Sequence, residues 1–180
     1  GSLKVKQQNS FYNRLYAIHP DGSYSSYDKR HLFRMGDEHK FYQSGNQQVI
    51  VSFNGWNIAL FICYDLRFPV WSRNVSMAYD AAIYVANWPA PRANAWRTLL
   101  QARAIENLAY VVGVNRVGTD ANELAYAGDS LLVDFKGDLV LDLKSKDQIL
   151  TSELSLESLA EFRAKFPAHL DADSFSLSSL

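Results

Sequence analysis

The sequence predicts an α/β layered protein built as a single domain over residues 1–180. Two observations carry this. Strand-like runs alternate with runs of helical periodicity, and the central strands, 58–63 and 81–87, are apolar throughout, as in strands covered on both faces. The chain is also large enough for one core, since 48 % of its 180 residues are hydrophobic and 13 % aromatic.

Taken in order, 3–8 and 11–18 read as paired strands, rich in aromatic and β-branched residues, with Gln-Asn-Ser between them. His19-Pro20-Asp21-Gly22 is a turn, because Pro presets φ and Gly accepts positive φ. Residues 23–28 lead to Lys29. From Arg30 to Gln47 the chain is polar and lacks periodicity, which predicts a long loop of functional type. The runs 48–53 and 56–63, joined by Asn54-Gly55, predict a hairpin. Pro69 suits the first turn of a helix running to about Tyr79. Residues 81–87 form a buried strand. Residues 93–109 have a helical face of Trp96, Leu99, Leu100, Ala104 and Leu108. A strand at 110–115, a turn-rich segment to Asp129, a hairpin over 130–143 and a strand at 148–154 follow, then a helix over 156–166. The Ser- and Asp-rich tail after Pro167 is expected to wrap a neighbour or fray.

Charge and composition exclude some partners. Net charge is −1 with no basic run, which argues against nucleic acid or an anionic membrane. No apolar stretch is long enough to span a bilayer, and no signal-peptide pattern opens the chain. The lone cysteine forms no internal disulfide, and no Cys/His cluster has zinc-site spacing, so a reducing, cytoplasmic setting is expected. Leu3 starts a strand with no lead-in, which predicts that the N-terminal part of the domain is missing.

A lone cysteine at the end of an apolar strand is ordinarily inert packing. Cys63, however, sits just before a change to polar residues, with a helix start close behind whose N–H groups would favour the thiolate. Asp65 and Arg67 flank the same strand end, where open α/β sheets place their active sites. Lys29 also follows a strand. It is either a solvated surface lysine or an ammonium aimed at the oxyanion formed when a thiolate attacks an amide.

YDKRHLF (27–33), FICYDLRFP (61–69), NWP (87–89) and RAIENLAYVVGVNRVG (103–118) resemble successive blocks of the nitrilase superfamily of carbon–nitrogen hydrolases, in the same order. They most resemble its branch of small omega-amidases acting on 2-oxoacid amides, and the resemblance runs from about Gly1 to Leu154. It implies an αββα sandwich of two mixed sheets flanked by helices, N-terminally incomplete, with a Glu-Lys-Cys catalytic set. Lys29 and Cys63 fall on two members of the set. The third, the general-base glutamate, belongs to a block ahead of Leu3. Glu38, in GDEHKF, falls on a further glutamate that supports the lysine and substrate, where composition alone would read a solvated loop carboxylate. Phe68-Pro69-Val70 departs from the common FPE, a minor departure.

The implied reaction is amide hydrolysis through a cysteine thioester. The oxyanion is held by Lys29 and the backbone N–H of Tyr64, ammonia is released, and neither metal nor organic cofactor is required. The substrate expected is a small acid amide such as 2-oxoglutaramate, and a homodimer through the helix after Cys63 is expected. Arg67 could grip a substrate carboxylate or form an ion pair with Asp65 or another acid. Trp88 could wall the pocket or simply pack. His31 and His39 read as supporting or surface residues, and Glu106 and Asn107 as structural ones. Two other readings stay open. One is a non-catalytic nitrilase-like protein that binds or regulates because it lacks the base, and the other is a Cys–His hydrolase on an unrelated α/β fold.

Overall fold

The structure is a computed structural model and describes residues 1–177. Strands β1 (Ser2–Gln7), β2 (Ser10–Ile18) and β3 (Tyr24–Asp28) form an antiparallel three-stranded sheet. Gly22, at φ +85°, closes the turn between β2 and β3, and Asp21 Oδ1 accepts the Ser23 N–H at 2.9 Å. Across that pair Arg14 grips Asp28 through Nε and Nη2, at 2.6 and 2.8 Å.

A six-stranded mixed sheet follows, in the order β11-β10-β7-β6-β5-β4. Its members are β4 (Ile50–Phe53), β5 (Trp56–Ile62), β6 (Ala81–Ala86), β7 (Tyr110–Asn115), β10 (Leu131–Val133) and β11 (Leu139–Asp142). The three central strands β5, β6 and β7 are parallel, and the outer pairings are antiparallel. The apolar character of β5 and β6 thus reflects a strand buried on both faces.

Register sets the layers. Phe61, Tyr84 and Gly113 lie in line across β5, β6 and β7. On that face packs α3 (Ala93–Asn107), with Trp96 and Leu100 fully buried. Burying side chains of that size contributes about 2–3 kcal/mol each. The helix ends at Leu108, whose left-handed backbone (φ 47°) caps it. Tyr110 and Leu132 point to the opposite face and pack with Leu159 and Phe162 of α4 (Leu156–Lys165). Helices therefore cover both faces of the large sheet, and the small sheet joins the core where Tyr27 meets Phe61 edge-on at 6.1 Å.

The observed elements differ from the sequence reading in four places. The helix expected over 69–79 is only α2 (Pro69–Ser72). Arg73 is extended, and Asn74 bonds Tyr79 with both ends of its amide, at 2.8 and 3.0 Å, replacing the helical bonds. The strand expected at 148–154 is absent, and Ile149 is 96 % exposed. Strand propensity becomes a strand only where a neighbour supplies the ladder. The long loop contains a 3₁₀ turn over Arg34–Gly36 and one α-helical turn, α1 (Glu38–Phe41), entered through Asp37 at φ 55°. The turn-rich segment holds a small hairpin, β8 (Val117–Thr119) with β9 (Ala125–Ala127). Among the described residues no helix is long and apolar enough to cross a membrane.

Candidate active site

Cys63 stands where β5 ends. Its backbone is left-handed (φ 46°), a costly conformation for a residue with a Cβ, and it opens a single helical turn over Cys63–Arg67. Asp65 pins this elbow. Its carboxylate, wholly buried, accepts the Ile62 N–H at 3.1 Å, the Tyr27 O–H at 2.7 Å and the His31 N–H at 2.9 Å. It also lies 2.8 Å from His31 Nδ1, which donates because an ionised carboxylate only accepts. Tyr27 and His31 flank Lys29 in sequence, so one carboxylate ties the end of β3 to the end of β5.

Lys29 is no surface lysine, being 2 % exposed. Its main chain is fixed on both sides, the N–H donating to Asn13 O and the carbonyl accepting from Gly45 N–H, each at 2.9 Å. Its Nζ donates to Glu38 Oε2 at 2.6 Å, and the same oxygen accepts the Phe33 N–H at 2.7 Å. The turn of α1 thus presents Glu38 to the lysine.

A cavity of 570 Å³ lies between these elements, and Lys29, Glu38, Cys63, Tyr64, Arg67 and Trp88 all line it. The six residues that the sequence reading gave as catalytic or substrate-binding candidates therefore share one cleft. Arg67 does not pair with Asp65. Its guanidinium lies over the Trp88 ring, 5.1 Å from the centroid. Trp88 is itself fixed by donation from Nε1 to Arg92 O at 2.8 Å. His31 is stacked flat on Phe68 at 3.8 Å and bonded to Asp65, while His39 is exposed, and neither lines the cavity. Glu106 pairs with Arg103 at 3.0 Å, and Asn107 accepts the Asn74 N–H at 2.9 Å, so both serve packing.

The electrostatics of the thiol differ from the expectation drawn from a nearby helix start. Burial pushes the Cys63 thiol up, above the ordinary thiol range, and the charges of Glu38 and Asp65 act the same way. Lys29 and the Asn87 N–H pull it down without cancelling the rise. A four-residue α2 has no macrodipole large enough to do more. Such a thiol is protonated at neutral pH and needs a base at the moment of attack. A thiol, a buried ammonium and a carboxylate around one cleft form the set of groups needed for acyl transfer at an amide carbonyl.

Sequence reasoning missed Asn87, Arg92, Arg116 and Tyr126, which line the same cavity. The available signal was topological. The carboxyl ends of the parallel strands β5, β6 and β7 deliver Cys63, Asn87-Trp88 and Arg116 in turn, as the geometry of open α/β sheets requires.

Comparison with known proteins bears on this geometry. The profile of the family described as carbon–nitrogen hydrolase matches residues 1–164. Omega-amidase YafV of Escherichia coli K12 is 51 % identical over 178 residues, which is 98 % of this chain and 69 % of that protein. The 2-oxoglutaramate amidase of Bacillus subtilis is 33 % identical, over 95 % of this chain and 66 % of its own length. The crystal structure of XC1258 from Xanthomonas campestris, a CN-hydrolase superfamily protein with an arsenic adduct in its active site, superposes with a TM-score of 0.97. It shares 48 % identity and covers 99 % of this chain, which matches 70 % of that one.

Proposed function

Because this chain belongs to the carbon–nitrogen hydrolase family, the omega-amidase-like branch of the nitrilase superfamily, we propose that its activity runs through Cys63, Lys29 and Glu38. The protein is an amidase that hydrolyses the carbon–nitrogen bond of a small acid amide, and 2-oxoglutaramate is the substrate we assign. The observation that carries the reading of the site is the buried Lys29 ammonium beside the Cys63 thiol at the mouth of parallel strands.

The steps follow from the groups present. The Cys63 thiol gives its proton to a carboxylate base as Sγ attacks the amide carbon. The resemblance assigns that base to a glutamate on a block ahead of Leu3. We give Glu38 a different task, since its Oε2 is already engaged by Lys29 Nζ and Phe33 N–H: it holds the ammonium in place. Lys29 and the Tyr64 N–H stabilise the oxyanion, and a donor in that role is worth about 2.7–4 kcal/mol of barrier. The base returns its proton to the leaving nitrogen and ammonia departs. Water, deprotonated by the same base, then splits the thioester and restores the thiol. Trp88 and Arg67 wall the side of the cleft where the rest of the substrate lies.

Cys63→Ala is expected to lower ammonia release from the amide roughly 10⁴-fold or more, while thermal unfolding stays cooperative. Retained turnover would remove Cys63 from the reaction. We also propose a cytoplasmic setting, because a reacting thiol needs reducing surroundings to remain free. We further propose a homodimer formed around the segment after Cys63, where Val70 and Val75 are half-exposed and apolar.

A further inference from the structure

The three parallel strands end level with one another beside Cys63. Ile62 pairs with Val85 and Ala86 with Asn115, so one step further along the register Cys63, Ala86 and Asn115 stand in a row. β6 stops at Ala86, and the next two residues, Asn87 and Trp88, leave the sheet and line the Cys63 cavity. Main chain that leaves a sheet loses its ladder partners, and its N–H and C=O groups need others.

Asn115 supplies them. Its side chain is buried, 8 % exposed, and its amide grips the Trp88 main chain from both sides. Oδ1 accepts the Trp88 N–H at 2.7 Å, and Nδ2 donates to Trp88 O at 3.1 Å. Nδ2 also donates to Gly128 O at 2.7 Å, so both amide hydrogens are used. Asn115 is held in turn by Ser130, whose Oγ accepts the Asn115 N–H at 3.0 Å and donates to Asn115 O at 3.2 Å. The side chain thus extends the ladder past the end of β6, because an amide offers donor and acceptor together.

The consequence falls on the peptide between Ala86 and Asn87. Its carbonyl accepts the Arg116 N–H at 3.3 Å, on the β7 side. The two polar ends of a trans peptide point in opposite directions, so the Asn87 N–H is turned towards β5, where Cys63 stands. That N–H is one of the groups that draw the Cys63 thiol down.

We propose that Asn115 is a positioning residue of the reaction, which holds the Asn87–Trp88 segment so that the Asn87 N–H is aimed at the Cys63 sulfur. Sulfur gathers negative charge twice in that reaction. It does so as its proton passes to the base during attack, and again as the carbon–sulfur bond of the thioester breaks and the electron pair returns to sulfur. A donor fixed on the sulfur stabilises it at both points and takes no part in making or breaking bonds. This rests on the amidase reading above and extends it to a side chain that acts through its neighbour's main chain.

Asn115→Leu keeps the volume of the side chain and removes its three hydrogen bonds to Trp88 and Gly128. The pH midpoint of Cys63 alkylation by iodoacetamide should rise by about half a pH unit or more. The kcat for ammonia release from the acid amide should fall about tenfold or more. KM should change less, because the Trp88 ring keeps its own bond to Arg92 O. Ser130→Ala, which frees only the Asn115 main chain, should move the alkylation midpoint the same way by less. Arg163→Gln, which loosens α4 at the end of the sheet remote from the cleft, should lower the thermal midpoint and leave the alkylation midpoint where it is. In isotope-labelled wild-type protein, the Asn87 amide resonance should shift at the pH at which Cys63 becomes reactive, and stay still in Cys63→Ala. An alkylation midpoint unmoved in both Asn115→Leu and Ser130→Ala, an equal rise in Arg163→Gln, or an Asn87 amide that does not respond would overturn the role. Should Asn115→Leu fail to fold, Ser130→Ala and the amide resonance decide it. If the wild-type enzyme released no ammonia, the amidase reading alone would fail, since alkylation and the amide resonance do not depend on turnover.

Discussion

Asp65 sits two residues after Cys63, yet its work lies across the molecule, in tying the Lys29 segment to the Cys63 elbow. Four donors converge on its buried carboxylate, and each left without an acceptor would cost about 1–3 kcal/mol. The sequence displayed Cys63, Lys29 and Glu38 because their neighbours form ordered motifs. It did not display the Asp65 ties, since a carboxylate beside an arginine reads as an ion pair until the backbone shows Tyr27 and His31 facing it. Arg92 and Arg116 were hidden for a similar reason: surface arginines are common, and only the register of three parallel strands brings them to one cleft. A pH dependence follows from the thiol. Its folded-state pKa is raised, so its contribution to stability is present below the ordinary thiol range and is lost as pH rises through the folded value. Alkylation of Cys63 by iodoacetamide should therefore set in at higher pH than for a free thiol. Lys29→Met should move the midpoint higher still, because Lys29 now pulls it down. A midpoint unmoved by that substitution would show that the ammonium exerts no field at the sulfur.

Among the elements, α3 and β7 show how closely the layers are fitted. A Cβ added to Gly113 would lie 2.3 Å from Leu100 Cδ1 and 2.8 Å from Trp96 Cζ2, both on side chains that are themselves fully buried. Gly113→Ala should thus destabilise the fold by about 1–3 kcal/mol, read as a lower urea midpoint at unchanged slope. An unaltered midpoint would mean that the helix lifts without cost. The long, strongly patterned elements were legible: β5, β6, β7, α3 and α4 stand within a few residues of where periodicity put them. The misses are all local contests decided by one side chain or one missing partner. Asn74 captured Tyr79 and ended α2, and 148–154 found no strand to pair with.

At the scale of the whole molecule, the C-terminal helix is fastened at the end of the sheet remote from the cleft. Arg163 donates to Asp80 Oδ1 at 2.9 Å, Leu108 O at 2.9 Å and Tyr79 O at 2.7 Å, closing a contact between residues more than fifty positions apart. Layer order was legible because alternation of strands and helices fixes it, whereas assembly was not, since a few half-exposed valines do not announce a partner. The proposed homodimer predicts a sedimentation mass twice that of one chain, and a single-chain mass would remove it. The cleft joins two unequal kinds of support. Cys63 and Lys29 are locked to the main frame through Asp65, while Arg116 stands at the base of a hairpin, β8–β9, that forms a separate two-stranded sheet with Tyr126 on its returning strand. A change confined to the hairpin would therefore reshape one wall of the cleft while leaving the Cys63–Asp65–Lys29 frame as it is.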